Sequence, residues 1–140
     1  MDGAHNAQAA SALAQTLEEL CPGRRLHFLM GLSSDKSIEE IGKRLAPLAA
    51  GVTCTKSRHP RALDPIVLAK SLAPWCADVH SMSDAADAYT YVLNATSADD
   101  AIVVTGSLFL VGELRAAIRR SHIRPRRAAE SASVAAVNGS

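Results

Sequence analysis

The sequence opens with Asp2-Gly3-Ala4-His5-Asn6, which brings a carboxylate, a flexible glycine, an imidazole and an amide together within a single short run. An alanine-rich stretch, NAQAASALAQTLEEL over residues 6–20, follows at once and has the residue types of a good helix. A helix N-terminus attracts anions, because its first N–H groups lack partners and the positive end of its dipole points there. His5 and Asn6 at such a position add donors for a carboxylate or a phosphate. Asp2 offers an acceptor pair suited to ribose hydroxyls. The same residues also allow a plainer reading, in which Asp2 and Asn6 only cap the helix. Residue type alone leaves both open.

The rest of the chain alternates between helical and strand periods. Ala10, Leu13, Leu17 and Leu20 give the first helix one apolar face. Pro22-Gly23 stops it, and RLHFLMGL over 25–32 reads as a buried strand. A polar loop, 33–36, leads to a second helix opened by Ser37 with capping-box spacing to Glu40. GVTCTKS is a second strand, and the loop RHPRALD ends in Asp64-Pro65, a cap followed by proline at the first helical position. A third helix ends near Pro74, a short strand covers 77–82, and Ser83-Asp84 open a helix running past Tyr91. AIVVTGS is the clearest strand, and LFLVGELRAAIRR is the last helix. Strict alternation with short connections predicts a Rossmann-like α/β fold, a mostly parallel sheet with helices on both faces. In such a sheet function gathers at the carboxyl ends of the strands. Here those are the loops 33–36 and 57–64 and the dipeptide Gly106-Ser107.

Composition narrows the classes. The formal net charge is +1, which gives no whole-chain field for nucleic acid or an acidic membrane. No apolar run is long enough to span a bilayer, and the first residues lack the charge and apolar core of a secretion signal. Cys21, Cys54 and Cys76 are odd in number and form no CxxC pair, so reduced thiols packed as small hydrophobes in the cytoplasm are expected. Residues 121–140, rich in Arg, Ala and Ser, carry no helical stripe and read as a disordered tail beyond a domain of residues 1–120. Its arginines are not interleaved with aromatics, so a solvated tail is favoured over a nucleic-acid patch.

DGAHN before an Ala-rich helix, with RLHFLMGL, the Ser34-Asp35-Lys36-Ser37 loop, PRALDP and VVTGSLFLVGELR after it, resembles the C-terminal domain of folylpolyglutamate and dihydrofolate synthases, members of the Mur ligase superfamily. The resemblance covers residues 2–118. It implies an ATP-dependent ligase that uses magnesium to form an acyl phosphate on the γ-carboxyl of a folate, which the amine of L-glutamate then attacks. On that resemblance Asp2 contacts ATP, His5 is the catalytic residue beside the incoming glutamate and the transferring phosphate, and Ser107 helps hold the glutamate. Asn6, Asp35 and Lys36 are weaker candidates, and Lys36 reads equally well as a solvated loop lysine. His27, His59, His80 and His122 match no motif and read as structural or exposed.

Two departures qualify the resemblance. No G-x-x-G-K-[ST] loop occurs in the sequence, so the phosphate cradle, the magnesium ligands and the pterin site are expected in a missing central ATP-binding domain. The chain alone is therefore expected to be inactive. The family also places an apolar strand before DGAHN, where this sequence has Met1; that strand is expected near mid-sheet, so that its loss leaves two neighbours unpaired. Two other functional classes remain: a stand-alone module that binds glutamate or nucleotide without catalysis, and a degenerate remnant.

Overall fold

The structure, a computed structural model, describes residues 3–34, 37–121 and 134–137, with side chains for 8–34, 37–107 and 109–120. Helices and strands alternate: α1 Gly3–Leu20, β1 Leu26–Met30, α2 Ile38–Leu45, β2 Gly51–Cys54, α3 Pro65–Leu72, β3 Val79–Ser81, α4 Ala85–Ala95, β4 Ala101–Thr105, α5 Leu108–Ser121 and β5 Val134–Val137. The strands form one sheet in the order β3-β2-β1-β4-β5, every pair parallel.

Local chemistry starts α2, α3 and α4 as their sequences suggest. The Ser37 hydroxyl accepts from the Glu40 N–H at 3.2 Å. The return half of the capping box is not made, since the Glu40 carboxylate turns to Arg44 at 2.8 Å and Lys43 at 3.0 Å. The Asp64 carboxylate accepts from the Ile66 N–H at 2.8 Å, with Pro65 in the first turn. Asp84 caps α4 through the Asp87 N–H at 2.9 Å.

Strand alternation then splits the core between the two faces. Phe28 and Met30 of β1 join Leu13 and Leu17 of α1, Ile41 and Leu45 of α2, and Leu68 and Leu72 of α3. Leu29, between them in sequence, points to the other face, where it meets Val92 of α4 and Leu110 and Leu114 of α5. Burying each such side chain stabilises the fold by roughly 1.5–3 kcal/mol, so both faces contribute heavily.

Three expectations are corrected. α1 begins at Gly3, so Asn6 lies inside the first turn and not at the cap. The sheet has no central gap, because β1 pairs with β2 on one side and with β4 on the other. The disordered-tail reading fails at Val134–Val137, which forms a parallel edge strand on β4. Composition pointed the other way because four small apolar residues carry little hydrophobic signal, whereas an open strand edge supplies backbone partners to any sequence that reaches it. The remaining tail residues, 122–133 and 138–140, lie outside the described residues.

Candidate ligand crevice at the carboxyl edge of the sheet

The strand order reverses between β1 and β4. From β1 the chain leaves to α2 on one face, and from β4 it leaves to α5 on the other. In open α/β sheets the crevice outside the carboxyl ends at such a switch point is where ligands bind. Here that switch point falls between Gly31 and the following loop after β1, and Gly106 and Ser107 after β4.

The floor of this crevice is backbone against backbone. Gly106 has φ +108°, and a Cβ on it would stand 2.3 Å from the Gly31 carbonyl oxygen. A Cβ on Gly31 would meet the Thr55 carbonyl oxygen at 2.9 Å. The Gly31 N–H donates to the Thr105 carbonyl at 3.2 Å, and the Thr55 N–H donates to the Met30 carbonyl at 2.9 Å. The Thr55 side chain is fully buried beside this junction, and its hydroxyl oxygen has no hydrogen-bond partner among the described residues.

Ser107 sits between β4 and α5 and is buried. Its hydroxyl oxygen accepts from the Leu110 N–H at 3.5 Å, while its carbonyl takes the Val111 N–H at 3.1 Å. The residue is thus also the N-cap of α5.

The loop after β2 is fastened over the same edge. Its Arg58 N–H donates to the Glu113 carboxylate of α5. The His59 ring stacks on Phe109 with centroids 4.0 Å apart, and its Nδ1 accepts from the Arg61 N–H at 3.1 Å. Ser34 and Leu63 tie this loop to the one after β1, through Ser34 N–H to Arg61 carbonyl at 2.7 Å and Leu63 N–H to Leu32 carbonyl at 2.8 Å. Arg58, Asp84, Glu113 and Arg120 line a small charged groove of about 110 Å³ between α4 and α5. Sequence reasoning read His59 as structural or exposed and gave Arg58, Phe109 and Glu113 no role. Place in the loop 57–64 or in the LFLVGELR run was the available signal, since their partners lie on other elements.

The predicted site residues fall as follows. His5 and Asn6 are in the first turn of α1. The far end of α1 borders the start of β1, where Leu17, Cys21, Leu26 and Leu48 line one cleft. The first turn therefore lies toward the carboxyl edge, the edge that holds Ser107. Asp2, Asp35 and Lys36 lie outside the described residues. No group of His, Cys, Asp and Glu side chains among the described residues could hold a metal ion.

At the opposite edge, two histidines have structural partners. His27 faces Asp100 at 3.3 Å, and His80 pairs with Asp78 at 2.6 Å and packs edge-on against Tyr91. His27, Asp78, His80 and Tyr91 border a cleft of about 160 Å³ under α4. Burial acts to raise the Asp100 carboxyl, but the Ser97 N–H bond, His27 and Arg25 outweigh it and hold the group below its ordinary range.

Fold and topology together define a doubly wound α/β domain whose strand order reverses between β1 and β4. The sequence matches the Mur ligase, glutamate ligase domain family over residues 1–108, and the chain belongs to that family. It is 33% identical over 130 residues to the dihydrofolate synthase/folylpolyglutamate synthase of Mycobacterium tuberculosis, a match covering 82% of this chain and 27% of that one. The corresponding Bacillus subtilis protein is 26% identical over 117 residues, covering 82% of this chain and 26% of the relative. The structure of M. tuberculosis folylpolyglutamate synthase complexed with ADP and AMPPCP superposes with a TM-score of 0.71 at 31% identity, covering 90% of this chain and 30% of that one. The chain thus spans little more than a quarter of the length of these two curated relatives.

Proposed function

We propose that this domain is the glutamate-adding part of an ATP-dependent carbon–nitrogen ligase, a folylpolyglutamate synthase that extends a folate at its γ-carboxyl. The reading is supported by the family match together with one feature of the fold: the first turn of α1, with His5 and Asn6, and the β4–α5 junction at Ser107 both lie toward the carboxyl edge of the sheet. In the complete enzyme ATP and magnesium make the acyl phosphate, and a central ATP-binding domain outside this chain supplies the triphosphate cradle and the metal ligands. Asp2 contacts the nucleotide, and His5 lies against the transferring phosphate and the glutamate. Ser107 donates its hydroxyl proton to the glutamate. Asn6, Asp35 and Lys36 supplement this set. No helix among the described residues is long and apolar enough to cross a membrane, and the reaction belongs in the cytoplasm, where ATP and folates meet.

The chemistry fits the geometry. Bringing an amine to an acyl phosphate is chiefly a problem of positioning, which a rigid crevice facing a second domain solves. The Gly31–Gly106 floor fixes the backbone on which Ser107 stands. The test is incorporation of labelled glutamate into tetrahydrofolate with ATP and magnesium. The longer enzyme that carries this domain should turn over, and the purified 140-residue chain should not. Turnover by the short chain, or a longer enzyme that ligates no glutamate, overturns the reading.

A further inference from the structure

The loop after β2 is fastened on several sides, and one of its donors is left over. His59 stands at its centre, in the run Ser57-Arg58-His59-Pro60-Arg61. Pro60 biases the His59 backbone toward extended conformations, because a residue before proline clashes with the ring in the helical region. The His59 N–H donates to the hydroxyl of the buried Ser57 at 3.2 Å. The imidazole lies on the Phe109 ring, with centroids 4.0 Å apart and planes 22° from parallel. Its Nδ1 accepts from the Arg61 N–H at 3.1 Å. A neutral imidazole that accepts at Nδ1 carries its proton on Nε2. Backbone, ring plane and tautomer are thus all set. The Nε2–H has no hydrogen-bond partner among the described residues, and the side chain is only half-buried.

This donor sits at the carboxyl edge, because Phe109 belongs to the first turn of α5, just after Ser107. Its neighbours in the chain are cationic. Lys56, Arg58 and Arg61 are exposed, and none of them forms an ion pair among the described residues. Arg58 and Arg61 anchor the loop through backbone groups: the Arg58 N–H on Glu113, the Arg61 N–H on His59 and the Arg61 carbonyl on Ser34. Their guanidinium groups take no part in that fastening. The carboxylates of this region are engaged with backbone, Glu113 with the Arg58 N–H, Asp64 with the Ile66 N–H and Asp84 with the Asp87 N–H. Fastening by itself does not call for histidine. An asparagine could accept from the Arg61 N–H, and a phenyl ring could stack on Phe109. What histidine adds is the second ring nitrogen.

We propose that His59 is a ligand-binding residue of the carboxyl edge, whose Nε2–H donates to an oxyanion, carboxylate or phosphate, of the molecule bound at the switch point. The exposed cations of the same loop favour negative charge there, and a preset donor to an anion makes a strong hydrogen bond. The inference rests on the geometry of the loop and not on the ligase reading, which gives His59 no role.

The test uses the full chain, isotope-labelled at nitrogen, and long-range proton–nitrogen NMR of the imidazoles at pH 8. His59 should show a bare Nδ1 and a protonated Nε2. L-Glutamate and inorganic phosphate are then titrated separately at constant ionic strength, with chloride as the control. At least one of them should shift the His59 Nε2 resonance saturably while Nδ1 stays bare. A response to glutamate identifies a carboxylate, and a response to phosphate a phosphoryl group. The opposite tautomer overturns the proposal. So does an Nε2 that answers neither anion, or answers chloride equally.

Two substitutions then separate binding from fastening, measured with the anion that shifted Nε2. His59→Asn keeps an acceptor in the place of Nδ1 and loses the Nε2–H. His59→Gln carries an amide N–H to the place of Nε2 and leaves the Arg61 N–H without its acceptor. Affinity should fall by roughly tenfold or more in the asparagine variant and by no more than about threefold in the glutamine variant. Stability should run the other way, with the glutamine variant melting about 3 °C below the asparagine variant. A histidine that only fastens the loop puts asparagine ahead in both measurements, and that result overturns the proposal. Should either variant fail to fold, the titration of the parent chain still decides.

Discussion

Gly106 and Gly31 touch through their backbones: a side-chain carbon on Gly106 would overlap the Gly31 carbonyl oxygen, at 2.3 Å. This contact joins the ends of β1 and β4 at the point where the strand order reverses. Gly106 also holds φ +108°, a conformation that L residues rarely adopt. Gly106→Ala should therefore destabilise the domain by about 2–4 kcal/mol, summing the positive-φ penalty and a steric clash that only backbone movement relieves. Urea unfolding would measure it. A loss under 1 kcal/mol would show that the two loops are not held together as described.

Ser107 has two tasks that a pair of substitutions can separate. Its hydroxyl caps α5 and, on the proposed reading, also contacts glutamate. Ser107→Ala should cost about 1 kcal/mol of stability through the lost cap. In the complete enzyme it should also raise KM for glutamate with little change in kcat, because the contact is made in both ground and transition states. Ser107→Asp should keep the cap and restore stability, yet repel the glutamate carboxylates and raise KM further. An alanine variant with unaltered KM would leave Ser107 a cap and nothing more.

His5→Ala in the complete enzyme should act on rate. A preorganised polar group lost from beside the transferring phosphate typically costs roughly 2.7–4 kcal/mol of barrier, or about a hundredfold to a thousandfold in kcat. Steady-state kinetics on the variant decide this. Full activity would remove His5 from the site.

Asp100 sets a pH dependence. Its carboxyl is held below the ordinary range in the folded protein, so it binds protons less readily there than in the unfolded chain. The stability it contributes is therefore fully present above the unfolded carboxylate pKa and is lost as pH falls through the lower folded value. Asp100→Asn should destabilise by about 1–2 kcal/mol near neutral pH, from the weakened Ser97 N–H bond and the lost charge facing His27. The difference from the parent should shrink as the pH falls into the acid range. Melting curves across that range would show it, and a constant difference at every pH would contradict the assignment.

Cys54 should be inert. Burial, assisted by Cys76 nearby, pushes its thiol up to about 12. Cys21 and Cys76 are buried as well. Native protein should leave Cys54 unlabelled by an alkylating reagent at pH 8 on the timescale in which denatured protein reacts fully, since the thiolate is the reactive form. Rapid native labelling of Cys54 would mean that the α2–α3 side of the sheet opens readily.

The helices and strands were legible in the sequence because their signals are local. Period, caps and breakers act within a few residues, so Asp64-Pro65 and Ser83-Asp84 announced their helices, and AIVVT announced a strand buried on both faces. The family was legible too, and its match runs over residues 1–108. What needed the tertiary structure was every relationship between segments distant in the chain. The approach of Gly106 to Gly31, the stacking of His59 on Phe109 and the grip of Glu113 on the Arg58 N–H each join different elements, and nothing in one segment names its partner in another. The outer edge of β4 makes the same point most sharply. Its apolar sequence determined that a neighbour must exist, because buried backbone groups require partners. Only the assembled sheet decided that residues 134–137 are that neighbour, because strand pairing is made by backbone groups common to every sequence and is settled by which segment can reach the edge.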